Sequence, residues 1–316
     1  MDNMKRIVSV IICLVTFLTL FSGCKKSENS VSRLLFDTAV TLTARCERSV
    51  LLEAFSLCQR YEDLFSRTKE GSDVYKINST SDFVTVNEET ISLIKTALDF
   101  CEESGGVYDI TITPVLNLWD FNEGVIPKEN DVKNALSKVD YRKIKIEGNK
   151  VSSNGVQIDL GSIAKGYVAD KLYEFFEEKG VEDVIINLGG NVFVRGNEYT
   201  KIGVKTPFKD GVSGVITASD VTAVTSGTYQ RCFKKDGELY HHVLDTKTGY
   251  PKHTDLDSVT VVGKNSAVCD AVSTLCLLSG SKRAKEILEE KNLSGVLITK
   301  NGQILTVGDL DFEKAQ

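Results

Sequence analysis

The chain has 316 residues, with 38 Lys and Arg against 44 Asp and Glu and a net charge of −6 at pH 7. That length supports one large domain or two small ones with a real core. Acids and bases are interspersed, which excludes a nucleic-acid binder built on a basic face. Eight cysteines include no CxxC pair, which excludes zinc-ribbon spacing.

Lys5 and Arg6 precede an apolar run over 7–20, and Ser22-Gly23-Cys24 follows. The layout is that of a secretory signal over 1–23, too short for a confident membrane span. Cys24 after Ser-Gly resembles a bacterial lipobox, although Phe21 stands where an aliphatic residue is usual. The expectation is a lipoprotein: Cys24 becomes the lipid-modified (palmitate-bearing) first residue, residues 24–32 form a polar linker, and 33–316 form an exported domain tethered to the outer face of the cell membrane or in the periplasm. An uncleaved N-terminal anchor is the alternative. Cys46, Cys58, Cys101, Cys232, Cys269 and Cys276 read as small buried hydrophobes rather than disulfide partners.

Alternation of Leu35, Val40 and Leu42 predicts one strand over 33–44. Residues 47–65 carry Leu51, Phe55 and Cys58 at helical spacing, followed by a loop at Ser66-Arg67-Thr68-Lys69 and a short helix over 72–78. A second long helix is predicted over 88–103, with Ile91, Ile94, Ala97 and Cys101 inward and Ser104-Gly105-Gly106 as its stop. Alternation after Asp109 predicts an extended segment ended by Pro114. Trp119, the only tryptophan, reads as a core aromatic. Pro127 opens a surface helix within 125–139, and strands are predicted over 143–146 and 156–160.

Residues 158–170 read as a strand end, a glycine turn and the first turns of a helix whose buried face carries Ala164, Val168 and Leu172. Gly161 lets backbone N–H groups approach a ligand, Lys165 adds a positive charge, and Asp159 accepts hydrogen bonds before the turn. The plain alternative leaves Lys165 pointing at water. A near-continuous apolar strand over 183–187 ends at Gly189-Gly190-Asn191. Short strands follow around 192–194, 201–205, 214–218 and 223–226. His241 and His242 are neighbours on a strand and face opposite sides, so one can serve as a base, oriented by a carboxylate such as Asp245; structural roles for both are the alternative. After a strand over 258–262, Asp270 and Thr274 stand one helical turn apart and pair a carboxylate with a hydroxyl, the hard oxygen set that Mg²⁺ takes. Asp270 reads equally as a helix cap or surface acid. A helix over 281–291 and a hairpin over 295–307 end the chain.

Phe36-Asp37-Thr38, Gly106-Val107-Tyr108-Asp109 with Leu118-Trp119, the segment from Asp159 to Gly166, Leu188-Gly189-Gly190-Asn191, Thr225-Ser226-Gly227, His242-Val243-Leu244-Asp245 with Thr248-Gly249-Tyr250-Pro251, and Asp270-Ala271-Val272-Ser273-Thr274 occur in this order. Together they resemble the ApbE-type FAD:protein FMN transferases over nearly everything after the leader. The resemblance implies an α/β (α+β) unit with a strand-rich, largely antiparallel core flanked by helices. It also implies Mg²⁺-dependent transfer of FMN from FAD to a threonine hydroxyl of a partner, releasing AMP. Carried over, Asp270, Thr274, the Ser162 carbonyl and Ser273 are the Mg²⁺ residues. Phe36, Val107, Tyr108, Asp109, Asp159, Lys165 and Leu244 line the FAD site, and His242 deprotonates the acceptor. Thr68 stands where the family often stacks an aromatic on the flavin. This departure keeps open a Mg²⁺-dependent FAD pyrophosphatase, with a lipid-anchored flavin- or solute-binding protein as the non-enzymatic third reading. Family acceptors belong to membrane electron-transport complexes of the Nqr and Rnf type, and no nucleic acid is implied.

Overall fold

The computed structural model describes residues 27–196 and 199–315. The signal-peptide and lipidation expectations at 1–24 therefore lie outside the described residues. In chain order the elements are β1 Asn29–Leu35, β2 Thr38–Ala44, α1 Arg48–Phe65, α2 Asp73–Asn78, β3 Val84–Thr85, α3 Glu88–Glu103, α4 Thr113–Leu116, α5 Glu129–Leu136, a 3₁₀ turn Tyr141–Lys143, β4 Lys145–Glu147, β5 Lys150–Ser152, α6 Ala164–Glu178, β6 Val184–Leu188, β7 Asn191–Arg195, β8 Thr200–Lys205, β9 Val212–Ala218, β10 Val221–Gly227, β11 Cys232–Lys235, β12 Glu238–His241, β13 Leu256–Gly263, α7 Ser266–Ser279, α8 Ser281–Glu290, β14 Ser294–Thr299, β15 Ile304–Val307 and β16 Phe312–Lys314.

Eight strands form one antiparallel sheet in the order β1-β2-β6-β7-β10-β13-β14-β15. Period-two alternation divides its side chains between two cores. Val40, Leu42, Ile186, Val224, Val261 and Leu297 join α1, α3, α6, α7 and α8 in the larger core. Ala223, Val262, Val296 and Ile298 face the other way, onto Ile202, Val204 and Ile216 of the small sheet β16-β9-β8. A third cluster gathers Val115, Trp119, Val132 and Leu244 around the aromatic rings of Phe121, Phe233, Tyr240 and Tyr250. Trp119 is buried there, its indole N–H donating to the Gly249 carbonyl. Among the described residues, no helix is long and apolar enough to cross a membrane.

Several expectations are corrected. The strand over 33–44 is a two-residue hairpin: Leu35 pairs with Thr38, and Phe36 and Asp37 take φ of 54° and 56°. Both central residues of such a turn need positive φ, and a phenylalanine hides that signal. Part of the polar linker, from Asn29, is strand β1, because Val31 turns inward while Ser30 and Ser32 pair with Thr43 and Thr41. Pro114 sits in the first turn of α4 rather than closing a strand, since a missing N–H is harmless there. Residues 156–160 are extended but join no ladder. The Asn78 side chain supplies both backbone bonds at Ile158 instead, at 2.7 and 2.9 Å. β6 alternates, with Val184, Ile186 and Leu188 buried and Ile185 on the surface. Both long helices, the surface helix at α5 and the terminal hairpin β14–β15 form as expected.

Candidate active site

The site is organised by the meeting of two helix N-termini. α6 and α7 approach so closely at Gly166 that a Cβ there would overlap the Ser266 carbonyl oxygen. Only glycine permits that backbone contact. It brings the Asp270 carboxylate to the first turn of α6, where Oδ2 accepts from the Gly166 N–H at 2.9 Å and stands 3.8 Å from Lys165 Nζ. Asp270 is only 3% exposed, in the second turn of α7, so it caps the neighbouring helix rather than its own and is not a surface acid. Burial raises its pKa, while Lys165, the Gly166 N–H and the Asn191 amide favour the carboxylate. Lys165 Nζ also donates to the Gly161 carbonyl at 3.2 Å, so it does not simply point at water.

The turn before α6 is fixed from several sides. Asp159 accepts the Gly161 N–H at 2.7 Å and pairs with Arg67 Nε at 3.0 Å. Gly161's own N–H is thereby engaged within the turn. Arg67 reaches Asn117 as well, tying the Thr68 loop to the turn. Thr68 itself is exposed and bonds only to Ser66. Ser162 shares a 2.7 Å hydroxyl contact with Tyr108, whose phenol is held protonated by burial. Val107 is half-buried beside it, where Thr246 donates to the Gly106 carbonyl. Asp109 shapes the loop instead, since its oxygens accept from Thr111 and from the Tyr141 N–H.

Among the metal candidates, Thr274 shares a 3.2 Å hydroxyl contact with Ser226, which stands 2.8 Å from Ser273. Ser273 is fully buried and donates to the Asp270 carbonyl, so its hydroxyl is committed to the helix. The described residues hold no group of three His, Cys, Asp or Glu suited to a metal. The donor set is one carboxylate among hydroxyl and carbonyl oxygens, which fits Mg²⁺ completed by phosphate and water rather than zinc.

His242 is half-buried, with Nδ1 lacking a partner. Burial, then the nearby Arg231 and Lys165 charges, lower its pKa to about 4, so it is neutral at pH 7. Asp245 does not orient it. That carboxylate pairs with Lys252 at 2.7 Å and accepts the Lys247 N–H. His241 is enclosed on the opposite side, its ring 6.4 Å from that of His253. Leu244 is buried and bridges to Pro251. Phe36 is half-buried at the strained hairpin tip, its N–H held by Glu62 at 2.6 Å, and neighbouring Asp37 reaches Arg231 at 3.4 Å. Arg67 had no signal in the sequence, and Asn191 and Ser226 stood in family motifs without an assigned role, because each meets its partner on a distant stretch of chain. A polar depression lined by Ser79, Lys138 and Gln157 shares no residue with this group.

A family model described as the ApbE family matches residues 36–298. The chain belongs to the ApbE family. It is 33% identical over 270 residues to a Klebsiella pneumoniae FAD:protein FMN transferase, covering 82% of this chain and 85% of that relative. It is 28% identical over 317 residues to a protein of the same name from Treponema pallidum, covering 90% and 88%. The solved ApbE protein of Thermotoga maritima superposes with a TM-score of 0.82 at 29% identity, covering 89% of this chain and 97% of that one. The strand-rich antiparallel core flanked by helices is thus the fold of a known ApbE member.

Proposed function

We propose that this chain transfers FMN from FAD to a threonine hydroxyl of an acceptor protein and releases AMP. The observation that carries the reading is the buried Asp270 carboxylate, bonded to the Gly166 N–H and facing Lys165 where two helix N-termini converge. A diphosphate needs its charge neutralised more than it needs covalent chemistry. Asp270, Thr274 and the Ser162 carbonyl would hold Mg²⁺, which, when bound, neutralises phosphate oxygens. Lys165 contributes a second positive charge.

His242, neutral above about pH 4, takes the hydroxyl proton. The acceptor oxygen then bonds to the flavin-side phosphorus, the bond from that phosphorus to the bridging oxygen breaks, and AMP leaves with the bridging oxygen. Tyr108 and Ser162 brace the lysine-bearing turn through their 2.7 Å hydroxyl contact, on the side that this reading assigns to the flavin. Exposed Thr68 leaves that side without an aromatic lid, a loss of about 1 kcal/mol of stacking. The exposed threonine in place of an aromatic ring is the observation favouring FAD hydrolysis as the second reading.

We extend the same proposal to the leader. Cys24 carries the lipid, the domain works outside the cytoplasm, and its acceptors belong to membrane electron-transport complexes of the Nqr and Rnf type. Incubation with FAD and Mg²⁺, with and without such an acceptor domain, separates the readings. A yellow, fluorescent acceptor band that survives denaturing electrophoresis and disappears with EDTA supports transfer. Free FMN with an unlabelled acceptor supports hydrolysis.

A further inference from the structure

α6 and α7 cap one another. The second turn of α7 sends the Asp270 carboxylate to the Gly166 N–H in the first turn of α6. The second turn of α6 sends the Asp170 carboxylate back, its Oδ1 accepting from the Ser266 N–H at 2.7 Å and its Oδ2 from the Ala267 N–H at 2.9 Å. α7 does not need Asp170 in order to start. Its own cap, Asn265, already accepts the Val268 N–H at 2.8 Å. What Asp170 adds is position, because it ties the first two residues of α7 to a fixed point on the neighbouring helix. Ser266 is gripped a second time through its hydroxyl, which stands 2.8 Å from Asn191 Oδ1 and 2.9 Å from Thr222 Oγ1.

We infer that Asp170 is a positioning residue for the metal-binding face of α7, setting where Asp270 and Thr274 stand relative to Lys165. The inference rests on the assignment of Asp270 and Thr274 to Mg²⁺ made above. Asp270 and Thr274 lie four and eight residues past Ser266, so they share a face with the anchored residue. A slide of α7 along Gly166 would carry both oxygens away from the lysine-bearing turn together. Loss of one bond in a supporting shell of this kind weakens metal binding about 10- to 100-fold. Burial pushes the Asp170 carboxyl up to about 6, against its ordinary range. A charge retained in such surroundings is held for its two bonds and not for its solvation.

The test is calorimetric titration of MgCl₂ into the protein saturated with ADP, a diphosphate carrying the nucleoside half of FAD. Asp170→Asn is expected to keep its circular dichroism and cooperative melting while its Mg²⁺ affinity drops about tenfold. With FAD and acceptor, its kcat should fall and the half-saturating Mg²⁺ rise, with KM for FAD little changed. Asp73→Asn is the matched control, since that buried carboxylate also accepts a backbone N–H, from Asn87, and a hydroxyl, from Thr90, and bonds to no residue of α6 or α7. It should melt lower with unchanged Mg²⁺ affinity. Asp170→Glu keeps the charge and shifts it by one methylene. It is expected to lose about threefold in affinity and supplies the reading if the Asn variant does not fold. Unaltered Mg²⁺ affinity in the folded Asp170 variants would overturn the inference while leaving the transfer reading intact. Failure of the unaltered protein to bind Mg²⁺ with ADP would instead remove the metal assignment beneath it.

Discussion

Asp270 is an acid placed where acids are expensive. At 3% exposure its charged form is favoured by the Lys165 ammonium 3.8 Å away and by the Gly166 N–H, which the backbone of α6 directs at it. Removing the carboxylate takes away the one charged oxygen of the donor set. Asp270→Ala is therefore expected to lower kcat/KM by at least about 100-fold, a loss of about 3 kcal/mol in transition-state stabilisation, and to abolish the Mg²⁺ dependence. A steady-state Mg²⁺ titration of that variant checks this. Lys165→Met deletes the charge but keeps the stem, and should leave the fold intact while weakening FAD binding and turnover together. His242→Gln should reduce kcat about 100-fold or more, with FAD binding retained, because in the proposed mechanism the imidazole moves a proton and does not hold the diphosphate.

Gly166 belongs to the element scale, because its effect is transmitted between helices. Gly166→Ala places a methyl on the Ser266 carbonyl, where neither backbone can yield cheaply. The overlap is expected to cost about 1–3 kcal/mol in chemical denaturation and to move α7, so that Mg²⁺ affinity falls with stability. How far the elements are legible in the sequence depends on where their partners lie in the chain. α1 and α3 carry their apolar stripe within themselves, so spacing alone places them. The Phe36-Asp37 turn is illegible because a bulky residue occupies a conformation that usually advertises itself as glycine or asparagine. The segment at 156–160 reads as a strand because its pattern is that of a strand. Only the Asn78 side chain, 80 positions earlier, reveals that an amide has replaced the neighbouring ladder. At the site, the family motifs single out Asp270, Lys165 and His242, but not the Arg67–Asp159 pair or the mutual capping by Asp170. Nothing in one sequence records which backbone amide a carboxylate will meet.

Across the whole molecule, the sheet between two apolar layers makes a rigid base and the chemistry stands on its helix side. Two imidazoles, His241 buried and His242 half-buried, couple that base to pH. Burial lowers His241 to about 3 and His242 to about 4, whereas both titrate near 6.5 in the unfolded chain. The unfolded state therefore binds more protons between these values. The stability they contribute is present above about pH 6.5 and is lost as pH falls toward 4. Burial of Asp170 acts in the opposite direction, with stability falling as pH rises from 3.8 to about 6. Asp270, Asp109 and Asp257, raised by burial as well, act in the same direction as Asp170, so the histidine contribution is read by difference: between pH 6.5 and 4.5 the melting temperature of His241→Asn should fall less, or rise more, than that of the unaltered protein in a calorimetric series. The proposed activity requires a metal and a diphosphate to meet at the junction of α6 and α7. Crystals grown with ADP and MnCl₂ test that most directly, since Mn²⁺ takes the same oxygen ligands and gives an anomalous signal. The expected peak is in direct contact with Asp270 and Thr274, with the diphosphate beside Lys165. A peak elsewhere, or a diphosphate bound away from Lys165, would contradict it.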